Sequence, residues 1–318
     1  MHRTRQFLPG LLFALSGIAA AQNYPDKPIR VLVPFAAGSG TDILARIVTE
    51  EMRATMGANF VIDNRAGASG QIAAELVAKA NPDGYTLLLS TNTPHSANPF
   101  LFKKLNYDPV KDFAAVSRMI YYVFILVVNP NSGIKTVPEL IAYIKANPGK
   151  TSYANGNSSG QVNGAYLVSA AKLDSLPVPY KSTPPAMTDL IAGQVLYMFV
   201  DAASSQGHIK SGRLRAIAVM SDKRSDIFPE LPAVGETVPG FDTVPWAGMF
   251  APAGTPKAVI TRLNTEIVKA IKKPAIHQRL ADIGLQPAPS TPAELDQFVK
   301  EQRAAWGKKI RDAGIQPE

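Results

Sequence analysis

The sequence predicts an α/β protein made of two units, each a sheet with helices on both faces. Three observations carry this reading. Short β-branched runs alternate with segments of helical period from Ile29 onward, and the alternation runs twice along the chain. A glycine-rich turn joins strand to helix at the corresponding place in each unit. The length, 318 residues, is that of about two domains.

Composition narrows the class. Hydrophobic residues make up 46% and charged residues 18% of the chain, which excludes a disordered protein. There are 23 glycines and 26 prolines without a repeat, so tight loops are expected rather than a fibrous polymer. Cysteine is absent. That excludes disulfide scaffolds, thiolate metal sites, cysteine nucleophiles and a lipid-modified N-terminal cysteine.

Residues 1–21 carry Arg3 and Arg5, then the apolar stretch Leu11–Ala20, then Ala19-Ala20-Ala21 as a small-residue cleavage site. This is the layout of a secretory signal peptide, and its apolar part is too short to span a bilayer. The mature chain is expected to begin near Gln22 and to be exported without a lipid tether, as suits a bacterial periplasm. Removal of Arg3 and Arg5 lowers the formal charge from +8 to +6.

Ile29–Phe35 reads as a strand, Ala36–Gly40 as a glycine-rich turn, and Thr41 to about Met56 as a helix with Ile43, Leu44, Ile47 and Val48 at helical spacing. Asn59–Asp63 is a second strand. Ala68–Ala80 is a helix stopped by Asn81-Pro82-Asp83-Gly84, and Thr86–Ser90 is a third strand. This spacing argues a parallel sheet. Tyr122–Val128 reads as one long apolar strand. Thr136–Asn147 is a helix capped by Thr136, with Glu139 three residues on and Pro138 in the first turn. Thr151–Ala154, Val178–Tyr180, Val195–Val200 and Arg215–Val219 are strands; Gln161–Lys172 and Pro184–Ala192 are helices. Trp246–Ala251 is a further strand, and the tail is helical over 255–272, 275–283 and 291–312, each helix with one apolar face. The first lobe is thus expected from 22–122 plus 246–318 and the second from 123–245. The crossings fall near 123–128 and 245–251, where a hinge is expected.

Chemistry is expected at the two strand-to-helix turns. In Pro34-Phe35-Ala36-Ala37-Gly38-Ser39-Gly40-Thr41-Asp42, unpaired N–H groups and the positive end of a helix dipole converge. No Lys follows the last glycine and Ile43 stands where a dinucleotide motif needs its third glycine, so nucleotide binding is disfavoured. A small anion and an ordinary turn capped by Thr41 both remain open. The second turn, Asn155-Gly156-Asn157-Ser158-Ser159-Gly160, mirrors the first. Two such turns face each other across a cleft when ligands bind at the carboxyl ends of strands. Neither turn holds Lys or Arg, so the donors are neutral amides and hydroxyls. Four hydrogen bonds to a charged group, at roughly 1.5–3 kcal/mol each, supply about 6–12 kcal/mol. Micromolar binding needs about 8 kcal/mol, so a carboxylate is held without a salt bridge.

The alternative is a secreted serine hydrolase. Gly156-Asn157-Ser158-Ser159-Gly160 fits G-x-S-x-G, with Asp201 then His208, or Asp242 then His277, in the required order. Against it, no HGGG-type oxyanion segment is present, and both histidines lie in polar surroundings that read as surface. The histidines show no paired metal-ligand spacing, and no cofactor or metal is expected. Asp201 closes an apolar strand and is open to two readings, a cleft residue or a satisfied strand-end carboxylate. Residues 255–318 hold 11 Lys+Arg against 7 Asp+Glu, mixed along amphipathic helices without aromatic interleaving, so no nucleic-acid partner is expected.

The order of segments resembles the periplasmic substrate-binding proteins of tripartite tricarboxylate transporters, the Bug family. The matching stretches include Tyr24-Pro25-Asp26-Lys27-Pro28-Ile29-Arg30, the Val33–Asp42 turn with Ala45-Arg46, Asn64-Arg65-Ala66-Gly67-Ala68, Asn81–Leu87, Tyr107-Asp108-Pro109, Gly212-Arg213-Leu214-Arg215-Ala216 and Ala251-Pro252-Ala253-Gly254-Thr255-Pro256. The resemblance implies a Venus-flytrap fold, type II-like, with mixed sheets, whose lobes close on a small carboxylate for delivery to a membrane permease. By that match Phe35, Gly38, Ser39, Thr41 and Asp42 contribute from one lobe, and Asn155, Asn157, Ser158 and Ser159 from the other; Asn92 and Asp201 are further pocket candidates. The chain departs from the family at Ala36-Ala37, where proline or glycine is common, and at Val162-Asn163-Gly164, where a histidine is common. Phe35, Tyr121, Tyr122, Phe124 and Trp246 leave an aromatic acid open as ligand, against core packing for each. A monomeric carrier is expected, and a sensory receptor subunit reads the same in sequence.

Overall fold

The twice-repeated alternation of strand and helix folds into two sheets. The computed structural model describes residues 24–318; the expected leader, 1–21, lies outside the described residues. β1 (Ile29–Val33), β2 (Phe60–Asn64), β3 (Thr86–Thr91), β4 (Phe113–Tyr122), β10 (Trp246–Pro252) and β11 (Leu285–Pro287) form a six-stranded sheet in the order β11-β4-β10-β3-β1-β2. β5 (Phe124–Val128), β6 (Ser152–Asn155), β7 (Leu176–Pro179), β8 (Tyr197–Asp201) and β9 (Arg215–Val219) form a five-stranded sheet in the order β7-β6-β8-β5-β9. The helices of the first lobe are α1 (Gly40–Met56), α2 (Gln71–Ala78), α3 (Asn98–Leu101), α8 (Lys257–Lys272), α9 (Pro274–Ala281) and α10 (Pro292–Asp312). Those of the second are α4 (Val137–Ala146), α5 (Ser158–Ala170), α6 (Thr183–Ile191) and α7 (Ala202–Lys210).

Both sheets are mixed. β1 runs parallel to β2 and β3, as the spacing predicts, but β10 enters antiparallel between β3 and β4. In the second sheet β6 is parallel to β7 and β8, and β5 is antiparallel to β8 and β9. β10 is buried along its whole length, which accounts for its uninterrupted run of apolar and small residues.

Three departures from the sequence pattern have physical causes. The single strand expected over Tyr122–Val128 is two, because Val123 leaves the ladder: its N–H donates to the Gly284 carbonyl and its carbonyl accepts from Ala202 N–H, both at 2.9 Å. β4 escapes detection because register shifts against β10 break the period of two. α7, with the sequence AASSQGHIK, has too few apolar residues to mark a face and escapes for that reason.

The chain passes from the first sheet to the second at Val123 and returns ahead of Trp246, and the two crossings meet where Tyr122 N–H donates to the Pro245 carbonyl at 2.9 Å. The lobes also share apolar packing. Ala97 and Leu101 near α3, Trp306 and Ile310 of α10, and Val162 of α5 form one buried cluster. Beside it, Lys309 of α10 is almost fully buried in the second lobe, its Nζ over the Tyr166 ring at 3.2 Å to the centroid and bonded to the Gly240 carbonyl.

Candidate functional site

Strands end and helices begin at one place between the lobes. Four helix N-termini meet there, those of α1, α5, α6 and α7, and each carries the partial positive charge of its unpaired amides. Their first residues and caps, together with the ends of β3 and β4, line a small cavity of about 20 Å³, room for a water molecule or two.

Local sequence explains each terminus. α1 begins at Gly40 with Ser39 as its cap, Ser39 Oγ accepting from Asp42 N–H at 3.3 Å. The cap expected at Thr41 is therefore corrected to Ser39, and the Thr41 hydroxyl is instead bonded to Tyr122 OH at 2.8 Å. α5 begins at Ser158, three residues before the expected Gln161, because Asn157 caps it: Asn157 Oδ1 accepts from Gly160 N–H at 3.0 Å. α6 follows the cap-position residue Ser182, whose Oγ accepts from Ala36 N–H of the opposite lobe at 3.0 Å. Asp201 caps α7, its Oδ1 accepting from Ser204 N–H at 2.9 Å.

Of the residues singled out in the sequence, Phe35, Ser39, Thr41, Asn92, Asn157, Ser159 and Asp201 line the cavity. Gly38, Asp42, Asn155 and Ser158 are not among the lining residues. Gly38 takes φ of +81° and donates its N–H to Asp42 Oδ2 at 3.0 Å. Asp42 also accepts from Arg46 Nε at 3.0 Å. Burial pushes Asp42 upward, but the Arg46 and Gly38 hydrogen bonds outweigh it and hold the carboxyl below its ordinary value. Asn155 ends β6 with its side chain toward the Val178 carbonyl. Ser158 Oγ is bonded across the cleft to Thr93 Oγ1 at 2.8 Å and accepts from Asn92 Nδ2 at 3.1 Å. No imidazole stands among these partners of Ser158, which are hydroxyl and amide groups. His277 is exposed, as read from sequence; His208 is half-buried rather than a surface residue, the burial lowering its pKa.

Gly40, Thr91, Thr93, Tyr122, Phe124 and Thr183 complete the lining. Thr93 carries a signal that strand-end logic reaches, being the second residue after β3. Thr183 also had one: Ser182-Thr183-Pro184-Pro185 is a polar cap followed by proline in the first helical turn, directly after a strand. Of the five aromatics offered as ligand contacts, Phe35, Tyr122 and Phe124 reach the cavity. Trp246 is fully buried beside Phe250 and Phe298, and Tyr121 packs on Phe298, so both belong to the core reading.

The electrostatics are unusual for an enclosed site. No Lys or Arg stands among the described lining residues, and the single charged one is Asp201, 4% exposed. Burial pushes its pKa up, with the Ser204 hydrogen bonds opposing. Among the described residues no three His, Asp or Glu side chains gather in a way that would hold a metal ion. The arrangement offers oriented hydroxyls, amides and helix dipoles to an anion, with an acceptor on one wall.

The chain and its fold are similar to known proteins. The sequence model of the tripartite tricarboxylate transporter family receptor matches residues 44–315. Among solved structures, Rpa4515 of R. palustris, determined with adipate, is 32% identical with a TM-score of 0.90, over 93% of this chain and 100% of that one. The periplasmic binding protein BugD is 34% identical with a TM-score of 0.88, over 93% and 100%. MatC of Rhodopseudomonas palustris, with bound malate, is 31% identical with a TM-score of 0.84, over 90% and 100%.

Proposed function

Because this chain belongs to the tripartite tricarboxylate transporter receptor family, we propose that it captures a small carboxylate between its lobes and delivers it to a membrane permease. The observation that carries this reading is the convergence of four helix N-termini, three of them with neutral caps, on one inter-lobe cavity without a cation. The adipate and malate held by its structural relatives support it. In this reading Ser39, Thr41, Asn92, Asn157 and Ser159 donate to the carboxylate while Phe35, Tyr122 and Phe124 cover the ligand's carbon frame. Gly38, Asp42, Asn155 and Ser158 hold the two turns in shape behind it. Asp201 takes a donor of the ligand, a hydroxyl or amino group, since a second carboxylate against it would be repelled.

The protein acts by binding and release, as an exported periplasmic monomer without cofactor, metal or nucleic acid. Loading a dicarboxylate requires the lobes to part, because the space between them has room for only a water molecule or two. A thermal-shift panel of mono-, di-, hydroxy- and aromatic acids tests the reading. A ligand at a hundred times its Kd adds about 2.7 kcal/mol of stability; a panel in which no acid raises the Tm refutes it. Turnover of simple esters that is abolished by Ser158→Ala would instead install the hydrolase.

A further inference from the structure

Behind the lining sits a polar pair that ligand contact leaves unused. β3 runs into a wide π-helical turn, Thr93–Ala97, a geometry that interrupts regular helix pairing. Within this turn His95 is fully buried. Its ring stacks on Phe250 at 4.0 Å between centroids, with Phe113 at 4.9 Å. Its Nδ1 lies 2.7 Å from Ser90 Oγ of β3, and its Nε2 has no hydrogen-bond partner among the described residues. A proton on Nε2 would be an orphaned buried donor, so the ring N–H belongs on Nδ1 and is donated to Ser90. The Ser90 hydroxyl then points to the Thr91 carbonyl. Burial, with Arg303 adding to it, pushes the imidazole down to about 3, so it stays neutral.

The same turn makes the cross-cleft bonds. Thr93 Oγ1 accepts from Ser158 N–H at 3.3 Å and Asn92 Nδ2 donates to both Ser158 and Ser159, while within the turn Thr93 N–H donates to Thr91 Oγ1 at 3.2 Å. On its far side Tyr107 OH donates to the Pro94 carbonyl at 2.8 Å. We propose that His95 is a positioning residue: bonded to Ser90, it fixes the turn that presents Asn92 and Thr93 to Ser158 and Ser159, so that closure of the lobes depends on it. A buried histidine in this turn would otherwise be an unrewarded cost, since an apolar ring fills the same volume without an orphaned nitrogen. The proposal rests on the reading above only in expecting that closure tightens ligand binding.

The test is amide hydrogen exchange on the mature protein, with His95→Phe to keep the ring and remove Nδ1, His95→Asn to restore a donor, and Ser90→Ala to remove its acceptor. Expected are at least tenfold faster exchange at Ser158 in His95→Phe and Ser90→Ala, recovery in His95→Asn, and unchanged exchange at Leu87–Leu89 of β3. Thr93→Val should reproduce the loss, and the His95→Phe, Thr93→Val double variant should add little to it, as members of one chain of contacts do. Wild-type exchange at Ser158 in both His95→Phe and Ser90→Ala overturns the proposal, as do losses that multiply in the double variant or a loosening spread equally through β3. Titration with the panel of mono-, di-, hydroxy- and aromatic acids separates the two readings: wild-type protein that ignores every acid while His95→Phe still loosens Ser158 sinks the carboxylate reading and leaves His95 standing.

Discussion

At the residue scale Asp201 makes two demands that conflict. As a cap it satisfies Ser204 N–H, and as a buried carboxylate it lacks a cation, so folding costs more when it is ionised. Its folded pKa lies above its unfolded value, so the folded state holds the extra proton and stability falls as pH rises through that window. Asp201→Asn keeps a capping oxygen and removes the charge. It should therefore be more stable than wild type by about 1 kcal/mol at pH 7, with the gain disappearing as pH drops below the unfolded carboxylate pKa; chemical denaturation at pH 7 and at pH 3.5 measures the difference. Asp42 has the opposite sign. Its pKa is held low, so what it contributes is present above the unfolded carboxylate pKa and is lost as pH falls through the folded one.

At the element scale the site is a set of caps. Ser39, Asn157 and Asp201 each accept from an amide of the first turn that follows, and this is the chemistry by which a sequence starts a helix. Asn157→Asp separates capping from ligand contact. Aspartate caps as well as asparagine and is favoured by the dipole, so the Tm should hold to within about 1 kcal/mol of stability, whereas a carboxylate beside the bound anion should cut its affinity at least tenfold. Isothermal titration of the best acid from the panel, run alongside melting curves, checks both halves. How much of this was legible depended on the signal. The two glycine-rich turns stand out because Gly38 and Gly156 answer to backbone needs that other residues do not meet: a left-handed φ at Gly38, and at Gly156 a backbone approach to Ser182 and Thr183 that no Cβ allows. Periodicity places the start of α5 three residues late, because its first turn, Ser158-Ser159-Gly160, is polar and small and only apolar residues mark the period. Thr93 and Thr183 carry local signals, a strand end and a capped helix start, but that both face the same cavity is decided by tertiary placement.

At the scale of the whole molecule the contacts that hold the lobes include the crossing strands at Val123, the apolar cluster about Trp306, and the cavity itself. The two sheets were legible because parallel strands buried on both faces read as apolar runs. The antiparallel insertion of β10 and the pairing of β11 with β4 were not, since both are made by segments distant in sequence from their partners. Lys309 shows why the tail's charge was a poor guide: this lysine lies buried among aromatic rings of the other lobe and is lost to any surface field. Gly40 belongs to this scale too. Its φ is not left-handed, so the backbone does not require glycine there; a Cβ would instead strike the Asp201 carboxylate of the facing lobe. One methyl group at position 40 is therefore a doorstop. Gly40→Ala should fold and melt like wild type yet hold the jaws apart, shown by a larger radius of gyration in small-angle scattering with saturating acid and by a raised dissociation rate. By that prediction, the hydrogen atom in place of a methyl at position 40 sets how long a carrier keeps its cargo between pick-up and hand-over.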